Sequence, residues 1–338
     1  MVNTDLTSAT DRGLSVALCT YNGELYLREQ LESIAAQTRP PDELVICDDC
    51  STDGTRSIIE DFSSEAPFPV RLSVSDRNLG STKNFERAIE LCRGDLIALS
   101  DQDDVWLRDK LELIESVFSA RPEVGLVFTD AEIVDQELRP LGYRLWESEG
   151  FDQKKQGLFE AGKAFPILLL GNQVTGATMV FRSGFRDLVL PIPVIPGSGL
   201  IHDGWIALLI SAVADLAFIR EPLIRYRQHP GQQLGTRLRQ GEKLSWRERL
   251  RRNNCSPDSV KRFSVIFDRL AAMRSRYQYK EVLYESRDQI EHLKTRAGLP
   301  ENRLRRLPYI LRELLTLRYH HYSNSLLSAA KDFYGPGK

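Results

Sequence analysis

The sequence predicts an α/β fold in which a largely parallel sheet is covered by helices on both faces and followed by a helical C-terminal extension. Three observations carry that expectation. Through residue 128, short apolar runs alternate with amphipathic segments of helix length. The first four runs all end on polar residues, and three of those ends are acidic. The C-terminal third shows apolar positions at helical spacing beside an excess of basic side chains.

Taken in order, Leu14 to Cys19 reads as a strand and Tyr21-Asn22-Gly23 as the turn after it. Glu24 to Gln37 sets Leu27, Leu31, Ile34 and Ala35 on one helical face, and Arg39-Pro40-Pro41 stops it. Glu43 to Cys47 is the second strand, and Asp53 suits the N-cap of a helix through Ile58, Ile59 and Phe62. Val70 to Val74 is the third strand. Asn84 to Cys92 is helical, with Gly94 as its C-terminal punctuation. Asp95 to Ser100 is the fourth strand. A helix over Leu107 to Phe118 precedes Pro122, and Val124 to Phe128 is the fifth strand. Such alternation requires crossover connections, and ligands bind outside the carboxyl ends of the strands they join. Those ends carry Thr20, Tyr21 and Asn22, then Asp48 and Asp49, then Asp76, Asn78 and Gly80, then Asp101 to Asp104.

Beyond Thr129 the pattern is mixed. Gly176 to Arg182 reads as a strand, Pro191 to Gly199 as a loop and Asp203 to Ala214 as a helix. Leu216 to Ile219 reads as a strand leading to Arg225-Tyr226-Arg227-Gln228-His229, where Arg225 and Arg227 read equally as outward strand residues. Trp246 to Arg252, Val260 to Glu291 and Leu304 to Leu327 are the expected C-terminal helices.

Composition bounds the function. With 338 residues, 42% hydrophobic and 27% charged, the chain suits one large or two small globular domains and excludes a disordered one. The best apolar stretch, Trp205 to Ile219, is broken by Asp215 and is too short to span a bilayer. Met1 to Gly13 has no apolar core, so no secretory leader is expected. The five cysteines, an odd and sparse set, predict reduced thiols and a cytoplasmic setting; Cys47 and Cys50 form a C-x-x-C pair that reads as the end of a buried strand, with a redox pair as the alternative. Thr236 to Lys338 carries 23 Lys/Arg against 11 Asp/Glu, a net +12, which leaves −14 on Met1 to Gly235. No nucleic-acid motif accompanies the basic tail, and the acidic half would repel a polyanion.

The sharpest chemistry lies at Asp101-Gln102-Asp103-Asp104, after the apolar Leu96-Ile97-Ala98-Leu99. Carboxylates this crowded repel one another. A Mg²⁺ or Mn²⁺ ion bridging to substrate phosphates compensates them. The alternative is that Asp103 or Asp104 caps the helix that follows. Neither phosphate-cradling glycine motif occurs in the chain, which disfavours P-loop hydrolases and dinucleotide enzymes.

Val16 to Gly23, Asp48-Asp49-Cys50-Ser51-Thr52-Asp53-Gly54-Thr55, Asn78-Leu79-Gly80 and Asp101 to Asp103 occur in an order that resembles family 2 glycosyltransferases of the GT-A fold. Ser100 to Trp106 most resembles bacterial rhamnosyltransferase-like members, and Thr175-Gly176-Ala177-Thr178, His202-Asp203-Gly204-Trp205 and Tyr226 to His229 fit as well. The resemblance implies a mixed, mostly parallel sheet flanked by helices. It also implies a catalytic domain over 1–235, with a nucleotide half at about 14–128 and an acceptor half at about 129–235, and a basic helical region over 236–338. Thr20, Tyr21, Asn22 and Glu24 would line the nucleotide pocket. Asp49, or Asp48, would accept from the base; Asn78 and Lys83 would lie near base or phosphates; Asp101 and Gln102 would approach the nucleotide sugar. Asp103 and His229 would hold the metal. Asp203 would be the general base of an inverting transfer, and Thr175, Gly176, His202 and Trp205 would meet the acceptor. From the residues alone, Asp203 reads equally as an N-cap and His229 as a solvated loop histidine. Cys50 stands where many members carry glycine.

The implied reaction moves rhamnose from dTDP-rhamnose, or a hexose from a UDP donor, to a hydroxyl of a cell-surface or lipid-linked glycan. A sugar nucleotidylyltransferase is the reading from another class, but the Gly-rich basic loop it would need after the first strand is missing from Thr20 to Glu24. The tail has dense arginines at Arg247, Arg249, Arg251 and Arg252 and at Arg303, Arg305 and Arg306, the latter ahead of an apolar series from Leu307 to Leu317. That pattern predicts peripheral attachment to the cytoplasmic face of the membrane, with packing on the catalytic domain or a homodimer through these helices as the alternative.

Overall fold

The computed structural model describes residues 13–197, 199–232, 257–279, 281, 287–323 and 325–334. The expected helix at Trp246 to Arg252, with its four arginines, and Cys255 lie outside the described residues.

Strands β1 (Leu14–Thr20), β2 (Glu43–Asp48), β3 (Val70–Val74) and β4 (Leu96–Ser100) pair in parallel in the order β3-β2-β1-β4. Every residue of β1, β2 and β4 is buried. Strands covered on both faces have no solvent side, which is why these segments read as continuous apolar runs. Helices α1 (Leu27–Ala35), α2 (Thr55–Glu65), α3 (Ser81–Leu91) and α4 (Lys110–Ala120) follow the apolar spacing. Leu27, Leu31 and Ile34 are buried on α1, Phe85, Ala88 and Ile89 on α3, and Leu111, Ile114 and Phe118 on α4. The expected architecture, a mixed and mostly parallel sheet flanked by helices, is the one observed.

The second half departs from the sequence reading in its connectivity. Strand β5 (Val105–Trp106) directly follows the acidic loop, and α4 starts only at Lys110 behind Asp109, so neither Asp103 nor Asp104 caps a helix. Strand β6 (Val124–Val134) runs six residues past Phe128. β7 (Pro140–Arg144) pairs antiparallel with its far end. The segment expected as a strand from Gly176 starts as a 3₁₀ turn at Gly176–Thr178, and only β8 (Met179–Arg182) is extended. β8 inserts antiparallel between β4 and β6. Strand β9 (Asp215–Arg227) runs parallel to β6 and carries β5 on its outer edge. Helices α5 (Leu145–Glu149), α6 (Gln153–Glu160) and α7 (Ala164–Leu170) fill a stretch where the sequence predicts no element. Phe128, Trp146, Phe151, Phe159 and Phe218 hold that stretch to the sheet, with ring centroids 5.0–6.0 Å apart.

Helices α8 (Arg186–Val189) and α9 (His202–Ser211) complete the half that the sequence assigns to the acceptor. Helix α9 begins at His202 behind Ile201, so Asp203 lies inside its first turn and is not the N-cap. Likewise Gly54, not Asp53, precedes α2, while Asp53 Oδ1 accepts from the Thr55 amide at 3.0 Å.

The C-terminal extension is helical, in more pieces than expected: α10 (Pro257–Ala272), α11 (Arg287–Ala297), α12 (Arg303–Leu315), α13 (Arg318–Tyr322) and α14 (Ser325–Tyr334). The helix expected over Leu304 to Leu327 breaks where Leu317 turns to φ 58°. Phe263, Ile266 and Leu270 of α10 and Leu293 of α11 join the main core. Arg269 donates to the carbonyls of Leu188 (2.9 Å) and Asp187 (2.7 Å), and Gln289 to that of Pro166 (2.9 Å), so α10 and α11 pack on the α7–α8 side of the sheet. Helices α12 to α14 form a small cluster of their own around Leu299, Ile310, Tyr319 and Ala329.

Candidate active site

The loops at the carboxyl ends of β1, β2 and β4 are tied into one rim. Tyr21 is half exposed, and its backbone is clamped by Gln102: the Tyr21 amide donates to Gln102 Oε1 at 2.8 Å and Gln102 Nε2 donates to the Tyr21 carbonyl at 3.1 Å. Gly23 leaves room for that clamp, because a Cβ there would lie 2.3 Å from Gln102 Oε1. Asn22, at φ 48°, accepts on Oδ1 from the Thr52 amide at 2.9 Å. Glu24 accepts from the Gly54 amide at 2.7 Å.

The two adjacent aspartates differ in how fully they are used. Buried Asp48 accepts from the Thr20 hydroxyl (2.9 Å), the Ser51 amide (2.9 Å), the Ser51 hydroxyl and Arg56 Nε (3.2 Å). Asp49 accepts one backbone N–H on each oxygen, from Leu79 at 2.7 Å and Gly80 at 2.8 Å. It thereby pins the Asn78-Leu79-Gly80 turn, where Asn78 Oδ1 accepts from Gly80 at 3.1 Å, and keeps lone pairs for a further donor. Lys83, one turn on, pairs with Glu86 at 2.8 Å and lines a cavity of about 380 Å³ with Ile192, Trp205 and Arg269. Cys47 lies in the buried strand as expected, its thiol pushed up to about 11 by desolvation, whereas Cys50 falls beyond the end of β2 in a partly buried turn at φ 68°, a left-handed position that explains glycine there.

The acidic loop is electrostatically crowded. Burial first, then the charges of Asp103 and Asp203, push the Asp101 carboxyl up to about 7. Asp104 is held well above the usual carboxylate range by burial and by Asp103 and Asp101. Its Oδ1 accepts from the Arg227 amide at 3.0 Å, while its buried Oδ2 has no hydrogen-bond partner among the described residues. Asp103 Oδ2 lies 2.8 Å from His229 Nε2, and the His229 ring stands 4.7 Å from that of Tyr26. The loop histidine is therefore drawn into the acidic rim and is not solvated.

Asp203 approaches from the other side. Burial raises its carboxyl to about 6, against the lowering effect of hydrogen bonds from the Gly204 and Gly176 amides and the Asn172 side chain. The Gly176 amide is 3.3 Å from Asp203 Oδ2, and a Cβ on Gly176 would come within 2.9 Å of His202 Nε2, so only glycine fits this approach. His202 is buried, stacks on Phe85 at 4.1 Å and is held neutral by burial, its titration lowered to about 3; its Nδ1 has no partner. Thr175 opens the 3₁₀ turn, and its carbonyl accepts from the Thr178 hydroxyl at 2.7 Å. The Trp205 ring is buried and gives its Nε1–H to the Val189 carbonyl at 2.7 Å, a core role in this structure.

Two residues of the rim escape a sequence reading. Arg227 is 1% exposed, not outward, although Arg225 on the same strand face is solvated. Its Nε donates to the Asp103 carbonyl at 2.8 Å, its other nitrogens reach the Gln136 carbonyl and Glu29, and its guanidinium lies 4.5 Å from the Tyr26 ring. It thus braces the backbone of the acidic loop. The signal was present: an arginine two residues before His229 with Glu29 as a mate on α1. Lys110 is fully buried, donates to the Ala177 carbonyl at 2.9 Å and sits 3.4 Å from the Trp106 ring centroid. Replacing Arg227 by Met should lower folding stability by roughly 1–3 kcal/mol, because the buried carbonyls it serves lose their donors. It should also weaken nucleotide binding. Denaturant midpoints and nucleotide titration measure both, and an unchanged pair of values would remove Arg227 from this role.

A carboxylate and an imidazole side by side among further carboxylates, one with an orphaned buried oxygen, form a donor set that fits a hard divalent cation such as Mn²⁺ or Mg²⁺. Among the described residues no three His, Cys, Asp or Glu side chains form a complete cage. An ion of this class takes its other ligands from phosphate oxygens and water.

The profile of glycosyl transferase family 2 matches residues 15–188. An uncharacterized protein of Mycobacterium tuberculosis is 34% identical over 225 residues, which cover 64% of this chain and 59% of that protein. The chain thus spans under two thirds of the length of the mycobacterial relatives it matches. The dTDP-rhamnosyl transferase RfbG of Shigella flexneri is 40% identical over 99 residues, 28% of this chain and 34% of that one. Among solved structures, residues 1–349 of S. aureus TarS in complex with UDP-GlcNAc align with a TM-score of 0.58 at 17% identity, over 95% of this chain and 88% of that fragment. A mannosyltransferase from Pyrobaculum calidifontis in complex with GDP-Man and Mn²⁺ aligns at 0.51 with 18% identity, over 96% and 88%. At such identities the likeness is one of fold, and the fold is the GT-A type.

Proposed function

The chain belongs to glycosyl transferase family 2, and from that premise we propose that it is an inverting, metal-dependent glycosyltransferase that moves rhamnose from dTDP-rhamnose to a hydroxyl of a surface polysaccharide or lipid-linked glycan. The observation that carries this reading is the approach of three carboxylates from two elements at one sheet edge. Asp101 and Asp103 come from the end of β4, Asp203 comes from α9, and the Asp203 charge is felt by Asp101. On this reading residues 14–128 hold the nucleotide and 129–235 the acceptor. Asp49, with lone pairs to spare, is favoured over the saturated Asp48 as partner of the base. Asp203 accepts the proton of the acceptor hydroxyl as its oxygen attacks the anomeric carbon. The bond to the diphosphate breaks towards the Asp103–His229 pair. Asp103 and His229 would hold a Mn²⁺ or Mg²⁺ ion, whose positive charge would favour the departure of the diphosphate. The rhamnose assignment rests on the short match to the Shigella enzyme and on Ser100 to Trp106.

No helix among the described residues is long and apolar enough to cross a membrane. A lipid-linked acceptor then calls for peripheral attachment at the cytoplasmic face. Donor specificity is tested by offering dTDP-rhamnose, UDP-glucose, UDP-GlcNAc and GDP-mannose with and without Mn²⁺ and reading release of the nucleoside diphosphate, with Asp203→Ala as blank. Metal-dependent dTDP release above the others is the expected result. Faster UDP release would reassign the donor to a UDP-hexose, and pyrophosphate in place of a nucleoside diphosphate would move the protein to nucleotidyl transfer.

A further inference from the structure

Helix α12 is amphipathic in an unusual sense: one face is buried, and much of the rest is apolar and exposed. Arg306, Ile310 and Glu313 face inward. Arg306 is held there by the carbonyls of Pro300 and Asp332, and Glu313 by His292 at 2.7 Å. Outside, Leu304, Leu307, Leu311 and Leu315 recur at spacings of three and four and are 70, 37, 55 and 84% exposed. At about 100° per residue these four lie within an arc of roughly 80°. Arg303 borders the arc on one side, Arg305 and Arg312 on the other, and all three are exposed. The only acidic residue of the helix, Glu313, is buried, so the exposed face carries arginines without carboxylates. Leu317, after α12, and Leu326 and Leu327, on α14, are exposed as well.

A leucine arc of this size is costly to leave in water unless something covers it. Its flanking charges are all of one sign, which selects an anionic partner. A helix lying in the plane of a lipid headgroup layer, leucines inward and arginines at the phosphates, meets both requirements. We propose that α12 is the membrane-docking face of this protein and that its partner is the anionic surface of a bilayer. The proposal deepens the peripheral attachment inferred above, and it narrows the basic tail to particular residues: Arg306 and Ile310, though in the same sequence cluster, serve the helical core.

The test is co-sedimentation of the full chain with vesicles of phosphatidylcholine alone and of phosphatidylcholine with phosphatidylglycerol, over a salt series. It needs neither donor nor acceptor, so its failure leaves the transferase reading untouched. Binding to the anionic vesicles that weakens as salt rises is expected. The combined Arg303→Gln, Arg305→Gln and Arg312→Gln changes should weaken binding by roughly a hundredfold. The combined Leu307→Ser, Leu311→Ser and Leu315→Ser changes should abolish it while leaving the chain folded and helical by circular dichroism, since Leu311 and Leu315 are more than half exposed and Leu307 more than a third. Two results would overturn the proposal. One is equal binding by the leucine variant. The other is no vesicle binding at low salt; a concentration-dependent dimer, by light scattering, that the leucine changes dissolve would then make α12 an interface between copies of this chain.

Discussion

An Asp103→Asn protein should bind nucleotide with little response to added Mn²⁺ and turn over about 10²- to 10³-fold more slowly than the unaltered protein. The change keeps the shape of the side chain and removes one negative charge where a cation and a diphosphate would meet, and Lewis-acid neutralisation of such a leaving group is worth several kcal/mol. Asp103 is placed for this by two features of the end of β9. Arg227 holds its carbonyl at 2.8 Å, and His229, two residues later, sits 2.8 Å from its carboxylate. The Asn amide can still meet His229 through a neutral hydrogen bond, so the variant removes the charge without releasing the histidine. Calorimetric titration of dTDP and UDP with and without Mn²⁺ separates the outcomes. A variant whose nucleotide affinity still rises with Mn²⁺ as in the parent chain would take the metal away from Asp103.

The first half of the fold was legible because its signals are local. Leu96-Ile97-Ala98-Leu99 can only be a strand buried on both faces, and Leu27, Leu31 and Ile34 repeat at the helical period. The strand order of the second half was not legible, because β8 reaches its place between β4 and β6 through pairings with residues more than fifty positions away. Helices α5 and α6 are five and eight residues long, too short to show a period, and they are fixed by an aromatic cluster drawn from Phe128 to Phe218. The site divides in the same way. Asp101, Asp103 and Asp49 stand just past strand ends, a position that the local pattern makes legible. Alternation alone gives Arg227 the same face as Arg225. Only the return of β9 towards α1 and the acidic loop buries it. Lys110 hides for a different reason: a lysine at the start of a helix is ordinarily solvated, and nothing local announces the Ala177 carbonyl that receives it.

An Asp203→Asn protein should lose on the order of 10²- to 10⁴-fold in transfer rate, with donor affinity nearly unchanged, because a general base acts on the acceptor proton and not on the diphosphate. The same carboxylate should leave a second mark, on stability. Burial holds its folded-state titration near 6, above the ordinary aspartate value of about 4. The folded protein therefore takes up this proton more readily than the unfolded chain, and the ionised group opposes folding. That opposition is absent below about pH 4, grows between pH 4 and 6, and is complete above pH 6, where it amounts to about 2–3 kcal/mol. An amide cannot ionise, so Asp203→Asn escapes it. The variant should gain stability relative to the parent chain as pH rises from 4 to 8, while the parent's transfer rate climbs through pH 6 as the base deprotonates. Guanidinium melts at the two pH values, beside a pH–rate profile of the parent, read both marks. A folded Asp203→Asn protein that transfers sugar at near-normal rates would reduce Asp203 to a brace for the Gly176 turn. A stability difference that does not change with pH would mean that the carboxylate titrates as an exposed aspartate does, and its fitness as a base at neutral pH would then need another source.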